Sequence, residues 1–538
     1  MVRHPAATLV PRRDEQSPAR ACGRLRYSHF FFFWQGDIHV RRPVGHRGRL
    51  TGRRTERLTG RLTGRRTEWR TDWRTEWLWG WLLGVALTCA GVAAHAGDAP
   101  AEQRRFYDIY KELVETNTSH SAGDNTLAAK RMARRLVDAG FAATDVQVVE
   151  PFPRKGNLVL RFKGDGSRRP LLLLAHLDVV EAKREDWQTD PFQLNEANGY
   201  FTARGAIDDK AMAAAFVSIL AQLKRENFKP RRDIILALTA DEERGATDTN
   251  GAKWLVTQHP DWVQAELGLN EGGGGELFKG KPNIQRIQVA EKVFVTFELA
   301  AHNSGGHSSM PRADNAIYDL VRALAKIADY QFPAQLAPVT RAYFERSARL
   351  FTGQRAADMA AVGAGSADPQ VIARLSAEPL YNATLRTTCV ATMLSAGHAE
   401  NALPQSATAL VNCRVLPWDD TAKVQARLQE LVGNPGVAFT ITNPPEPSPP
   451  SALSPLILGP VEQLTARLWP GVPVIPSMST GASDSRYLRN LGVPMYGISG
   501  MFVDVNDAHT HGLNERIEQQ RLYDGRNFLY ELVKRLAR

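Results

Sequence analysis

A chain of 538 residues with 43% hydrophobic residues can form two or more domains and bury a large core. Its formal charge of +10 suggests a nucleic-acid or membrane partner, yet residues 1–96 hold 18 Lys and Arg against 7 Asp and Glu, leaving 49 against 50 for the remainder. The basic character therefore belongs to the leader, and the nearly neutral remainder gives no electrostatic reason to bind nucleic acid.

Residues 1–76 end in the Arg-rich repeat TGRRTERLTGRLTGRRTEWRTDWRTE, which has no apolar face to bury and reads as a disordered, low-complexity leader. Residues 77–96 are an apolar run closing on Ala94-His95-Ala96, the shape of a signal peptide cleaved before Gly97, so the mature protein is expected to be periplasmic or secreted. A membrane anchor is the alternative, and Thr88 makes Cys89 a poor fit to a lipoprotein signal.

From residue 97 to 288 the pattern is that of an α/β domain with a largely parallel sheet. Helices are expected from Pro100 to about Asp138, then the strands DVQVVEPFP and GNLVLRFKG, then LLLLAHLDVV and DIILALTADEERGA. At Val289 the texture changes. Residues 289–445 read as strand, helix, two strands, helix and short strand, an inserted α+β sandwich, with a helical stretch at 335–380 that has no evident place. Residues 446–538 return, after the Pro-rich NPPEPSPPSALSP, to complete the first domain.

The chemistry lies at the ends of the apolar strands, where open α/β sheets form their sites. His176 and Asp178 follow four leucines, Asp208 and Asp209 precede an apolar helix, and Glu242 and Glu243 follow another apolar run. Each has an ordinary structural reading alone; their joint occurrence argues for a site. Two divalent metals about 3.5–4 Å apart need a bridging carboxylate and terminal His and carboxylate ligands. His176, a bridging Asp208, Glu243, Glu271 of LNEGGGG and His511 of DAHTHGLNER supply that set, which suits two Zn2+ per subunit, with Co2+ or Mn2+ as substitutes. Asp178 can accept the other N–H of the His176 imidazole. Glu242 stands next to a ligand and is free to act as general base.

The segments HLD, ARGAIDDK, ADEERGA, NEGG, GGHSSMP and HGLNER occur in the order seen in the co-catalytic zinc exopeptidases related to aminoacylase, glutamate carboxypeptidase, carnosine dipeptidase and Gly-X carboxypeptidase, which residues 102–538 resemble. NEGGGG and the long insertion most resemble the Gly-X carboxypeptidase branch. The resemblance implies a zinc-exopeptidase catalytic domain carrying an inserted lid and dimerisation domain. It makes His176, Asp208, Glu243, Glu271 and His511 the metal ligands, with a cis peptide between Asp208 and Asp209. It also makes Glu242 the base and Asp178 the carboxylate that supports the His176 imidazole. His307 resembles a lid histidine that reaches a neighbouring subunit's site to stabilise the oxyanion. Asn401 and Arg414 match a pair that binds the substrate carboxylate, and Gly481 and Ser483 lie in the matching substrate loop, where Ala482 and Ser483 depart from the family's Gly-Thr. His509 competes with His511 as ligand, and the glycine after His511 favours the latter.

The expected activity is hydrolysis of a small peptide, of carboxypeptidase or dipeptidase type, or of an N-acyl amino acid. A non-catalytic metal- or peptide-binding protein on the same fold is the rival. Neither nucleic acid nor, after signal removal, a membrane is an expected partner; a homodimer through the lid is. Cys389 and Cys413 fall in lid strands close in sequence, where a disulfide is geometrically possible.

Overall fold

The computed structural model describes residues 98–245 and 247–538. The Arg-rich leader, the apolar segment with its Ala94-His95-Ala96 site, Cys89 and the expected mature start at Gly97 lie outside the described residues. Among the described residues no helix is long and apolar enough to cross a membrane.

The large sheet has ten strands, and its centre is parallel. Leu171–His176 lies between Ile234–Thr239 and Leu267–Asn270, parallel to both, and Met495–Gly497 continues the parallel set from the returning segment. Every residue of Leu171–His176 and Ile234–Thr239 is buried, as strands covered on both faces must be. The alternation of side chains divides the leucines between two cores. Leu171 and Leu173 face a core built with Phe106, Phe216 and Phe528 of the helices Asp98–Val114, Lys210–Arg225 and Gln519–Leu536. Leu172 and Leu174 face Leu255, Tyr487 and Leu488 on the other side. Antiparallel strands, among them Val146–Val149 and Asn157–Phe162, widen the sheet at its edges.

The strand run read as one from Val289 is two. Lys281–Glu291 belongs to the large sheet, Val293–His302 to the lid, and the chain crosses between them at Lys292. The lid is a four-stranded antiparallel sheet ordered Thr388–Ala396, Ser406–Val415, Val293–His302, Val437–Ile441. The helices Ala316–Asp329 and Thr421–Val432 cover one face through Leu320, Ile327, Val424 and Leu428. Cys389 and Cys413 sit opposite each other on adjacent strands and form a disulfide. The helical stretch without an evident place packs on the large sheet: Phe344, Met359, Val362 and Leu375 share a core with Ile284 and Ile475 of its strands.

Candidate metal centre

Three parallel strands end side by side, and each delivers a candidate ligand at its carboxyl end: His176 from Leu171–His176, Glu243 just after Ile234–Thr239, and Glu271 just after Leu267–Asn270. Asp208 precedes the helix Lys210–Arg225, and His511 arrives on the loop before the short strand Arg516–Glu518. These five residues form two groups that share Asp208: His176, Asp208 and Glu271 in one, Asp208, Glu243 and His511 in the other, with ligand atoms within 4.8 Å of one another in each. His176 Nε2 is 3.1 Å from Asp208 Oδ1, and His511 Nε2 is 3.1 Å from Asp208 Oδ2 and 2.9 Å from Glu243 Oε1. The two oxygens of one carboxylate thus face two different imidazoles, as a bridge requires. His509 turns away, with Nδ1 3.0 Å from the Leu513 carbonyl, and is in neither group.

The glycines after Glu271 are a steric requirement. A Cβ at Gly273 would meet the Gly497 carbonyl oxygen at 1.9 Å, and Gly272 has φ +98°. The Asp208–Asp209 peptide is cis. Asp209 is buried and aims Oδ2 at the His176 amide, 3.4 Å away.

Asp178 does something other than the expected orientation of the imidazole. His176 Nδ1 lies 3.0 Å from the main-chain carbonyl of Asp178 and 3.6 Å from its carboxylate. The carboxylate instead accepts the amide N–H of Glu242 at 3.1 Å and of Glu243 at 3.0 Å. The main-chain carbonyl meets the ring, and the side chain is left for the neighbouring strand end. The tautomer is therefore set by main chain, and Asp178 holds the turn that carries both glutamates.

The electrostatics fit a cationic occupant. Burial raises the carboxyls of Glu242 and Glu271 well above the ordinary range, and neighbouring carboxylates add to it: Asp208 at Glu271, Asp484 and Glu243 at Glu242. Burial would raise Asp208 too, but hydrogen bonds from His176 and His511 carry it below the usual range. Hydrogen bonds to Asp208 and then Glu243 push His511 up to about 10. Several buried carboxylates face one another with two imidazoles as their nearest cationic partners, an arrangement that divalent cations would neutralise.

Beside Glu243 opens a cavity of about 390 Å³ between the large sheet and the lid, lined by Lys292, Phe294, Arg414, Ala482 and Arg486 among others. A second, of about 320 Å³, opens beside Asp208 and Glu271 and is lined by Met212, Gly273, Met501 and Val503. Arg414 lies over the Phe294 ring, 4.6 Å from its centroid, and donates to the Thr480 carbonyl at 3.0 Å, tying the lid to the 479–484 loop. Gly481 lies in that loop, its amide donating to Ser479 Oγ. Ser483, expected to face substrate, is buried: its amide and hydroxyl both donate to Glu291, and Ala482 lines the cavity in its place. His307 and Asn401, both exposed, stand together at the pair of short strands Gly306–His307 and Ala402–Leu403 rather than at the cavity. There the Ser308 amide donates to the Asn401 carbonyl and Ser309 Oγ is 2.7 Å from His307 Nδ1.

Sequence reasoning passed over Glu291, Lys292, Asp484 and Arg486. Asp484 is buried and accepts from Asn250 and Thr239 behind Glu242. The Glu-Lys pair interrupting the apolar VAEKVFV run was the available signal for the crossover.

A family model described as peptidase family M20/M25/M40 matches residues 172–535. The N-fatty-acyl-amino acid synthase/hydrolase PM20D1 of Xenopus tropicalis is 30% identical over 383 residues, covering 69% of this chain and 74% of that protein. A probable carboxypeptidase S-like 2 of Dictyostelium discoideum is 30% identical over 393 residues, covering 70% and 74%. Among solved structures, the M20 family metallo-carboxypeptidase Sso-CP2 of Sulfolobus solfataricus superposes with a TM-score of 0.60 at 17% identity, covering 80% of this chain and 98% of that one.

Proposed function

The chain belongs to peptidase family M20/M25/M40 and is a metallopeptidase-type hydrolase, and from that premise we propose that it hydrolyses the amide bond between an acyl or aminoacyl group and an amino acid with a free carboxylate. The single observation that carries this reading is the shared Asp208, its two oxygens turned to two imidazoles, with Glu242 beside the groups and in neither.

In this reading His176, Asp208 and Glu271 hold one zinc ion and Asp208, Glu243 and His511 the other. Two such cations would polarise the scissile carbonyl and acidify the attacking water. Glu242 takes a proton from the water and delivers it to the leaving amine; its burial, which raises its affinity for a proton, suits it to both halves of that transfer. Arg414, on the cavity wall and stacked on Phe294, offers a guanidinium to the substrate carboxylate. Ala482 borders the same cavity, with Gly481 next to it in the 479–484 loop. The printed names of the two relatives, an N-fatty-acyl-amino acid synthase/hydrolase and a carboxypeptidase S-like protein, support a substrate with an amide-linked amino acid at one end.

His307, exposed on the lid, acts in this reading on the site of a second copy. The lid edge strand Thr388–Ala396 supports a dimer, since Val390, Met393 and Leu394 are 61%, 65% and 59% exposed and, among the described residues, no strand pairs with its outer edge. We place the mature protein outside the cytoplasm on the strength of the Ala94-His95-Ala96 signal.

The test is hydrolysis of a panel of dipeptides and N-acyl amino acids by zinc-replete protein, with chelated protein as control. Turnover of either class that vanishes on chelation is expected. Binding without turnover would favour the non-catalytic rival, against which the unliganded Glu242 stands.

A further inference from the structure

Among the charged residues of the quoted motifs that have no part in the roles above are Arg204 of ARGAIDDK and Glu515 of HGLNER. They are 2% and 0% exposed and form an ion pair, with Arg204 Nη1 2.7 Å from Glu515 Oε2. Each also grips the other's loop. The Glu515 carboxylate accepts the amide N–H groups of Gly205 at 3.2 Å, Ile207 at 2.8 Å and Asp208 at 3.1 Å, so one side chain gathers the backbone leading into Asp208. Arg204 Nη2 donates to the carbonyls of Gly512 at 2.8 Å and His511 at 3.3 Å, and its guanidinium lies 5.0 Å from the Trp187 ring centroid. His511 itself sits in the left-handed region at φ +61°, a conformation that a non-glycine residue keeps only when its surroundings impose it. Gly205 is also left-handed, at φ +79°, and a Cβ there would meet Val179 at 2.7 Å.

The contrast with the other candidate ligands is informative. His176, Glu243 and Glu271 come from the ends of hydrogen-bonded parallel strands, and the sheet fixes their spacing. Asp208 and His511 come from loops about three hundred residues apart in sequence, whose mutual position depends on whatever ties the loops together. A fully buried ion pair adds little to stability compared with apolar residues of the same volume, while its geometry is highly specific.

We propose that Arg204 and Glu515 are a positioning pair that sets the distance between Asp208 and His511, and thereby the affinity of the metal position formed by Asp208, Glu243 and His511. The inference rests on reading Asp208 and His511 as ligands. Neither Arg204 nor Glu515 touches substrate; both act through the loops they hold.

The experiment compares wild type, Glu515→Gln, the double variant Arg204→Gln/Glu515→Gln and the ligand control His511→Ala. Zinc content after dialysis and the two zinc dissociation constants, from competition with a chromophoric chelator, are read beside thermal unfolding. For Glu515→Gln the zinc held by Asp208, Glu243 and His511 should bind on the order of 10–100-fold more weakly and the other, which shares only Asp208 with it, should weaken clearly less, with kcat recovered by excess zinc and KM unchanged. The double variant leaves no buried charge unpaired, so it gives the same readout if the single variant does not fold. Folded variants that hold both zinc ions with native affinity, or weaken both equally, would overturn the proposal. Native zinc affinity in His511→Ala would overturn the ligand reading, and the proposal with it.

Discussion

Asp178→Asn separates two roles for a residue that the structure ties to both halves of the centre. The residue is 2% exposed, and its carboxylate accepts from the Glu242 and Glu243 amides at 3.1 and 3.0 Å. Asparagine keeps the shape but replaces one acceptor oxygen with an NH2 group that cannot accept, so one of the two amides loses its partner. A hydrogen bond to a charged group is worth roughly 1.5–3 kcal/mol. If that loss falls on the turn presenting the base, kcat/KM should drop about 10–150-fold. No oxygen of Asp178 belongs to either ligand group, so both zinc ions should remain. The assay is steady-state kinetics on the best panel substrate with zinc analysis of the same preparation. Activity within about twofold of wild type would refute the role in the turn. Loss of zinc with unchanged turnover per zinc would show that Asp178 acts through the His176 imidazole after all.

Glu242→Gln cannot take a proton at neutral pH, and turnover should fall by about 10²–10⁴ with both zinc ions bound. Glu243→Gln should instead weaken one zinc position and respond to added zinc; metal analysis and kinetics side by side would expose reversed roles. His307→Ala should lower kcat by on the order of 10²–10³ without loss of zinc, as expected for one oxyanion donor, and zinc loss would make it a ligand. The Cys389–Cys413 disulfide closes a loop of sequence separation 24, so Cys389→Ser/Cys413→Ser should destabilise the lid by roughly 3–4 kcal/mol in chemical denaturation. Two free thiols in non-reduced digests of native protein would remove the basis for that. Burial, and after it the charge of Arg414, draws the Lys292 ammonium down to about 7. Between that value and about 10.4 the unfolded chain binds more protons than the folded one, so stability should rise with pH across this window. Lys292→Met should flatten the rise; an unchanged slope would mean that the ammonium stays charged on the Ala383 and Arg386 carbonyls.

The parts legible in the sequence are those set by local pattern. Four leucines before His176 and the apolar run before Glu242 read as strands covered on both faces, and the ends of such strands converge in an open α/β sheet. His176, Glu243 and Glu271 therefore meet as their positions suggest. The need of two metals for a shared carboxylate and a second imidazole pointed to Asp208 and His511, and the resemblance agreed on both. What escaped depends on contacts between distant segments. The helices around Phe344 and Met359 find Ile284 and Ile475 on the large sheet, a partnership that periodicity does not specify. Ser483 turns inward because Glu291, a residue 192 positions away, takes its hydroxyl. Alternation correctly puts His176 and Asp178 near each other, yet it does not decide whether carbonyl or carboxylate meets the ring. Arg204 and Glu515 were visible as motif letters, and only the folded loops disclose what they hold.

The central claim is that one carboxylate, Asp208, joins two metal positions. Anomalous diffraction at the zinc edge from crystals of zinc-replete protein tests it most directly. The account predicts two peaks about 3.5–4 Å apart, one beside His176 and Glu271 and one beside Glu243 and His511, with an Asp208 oxygen on each. A single peak, or two peaks that Asp208 does not join, would contradict it.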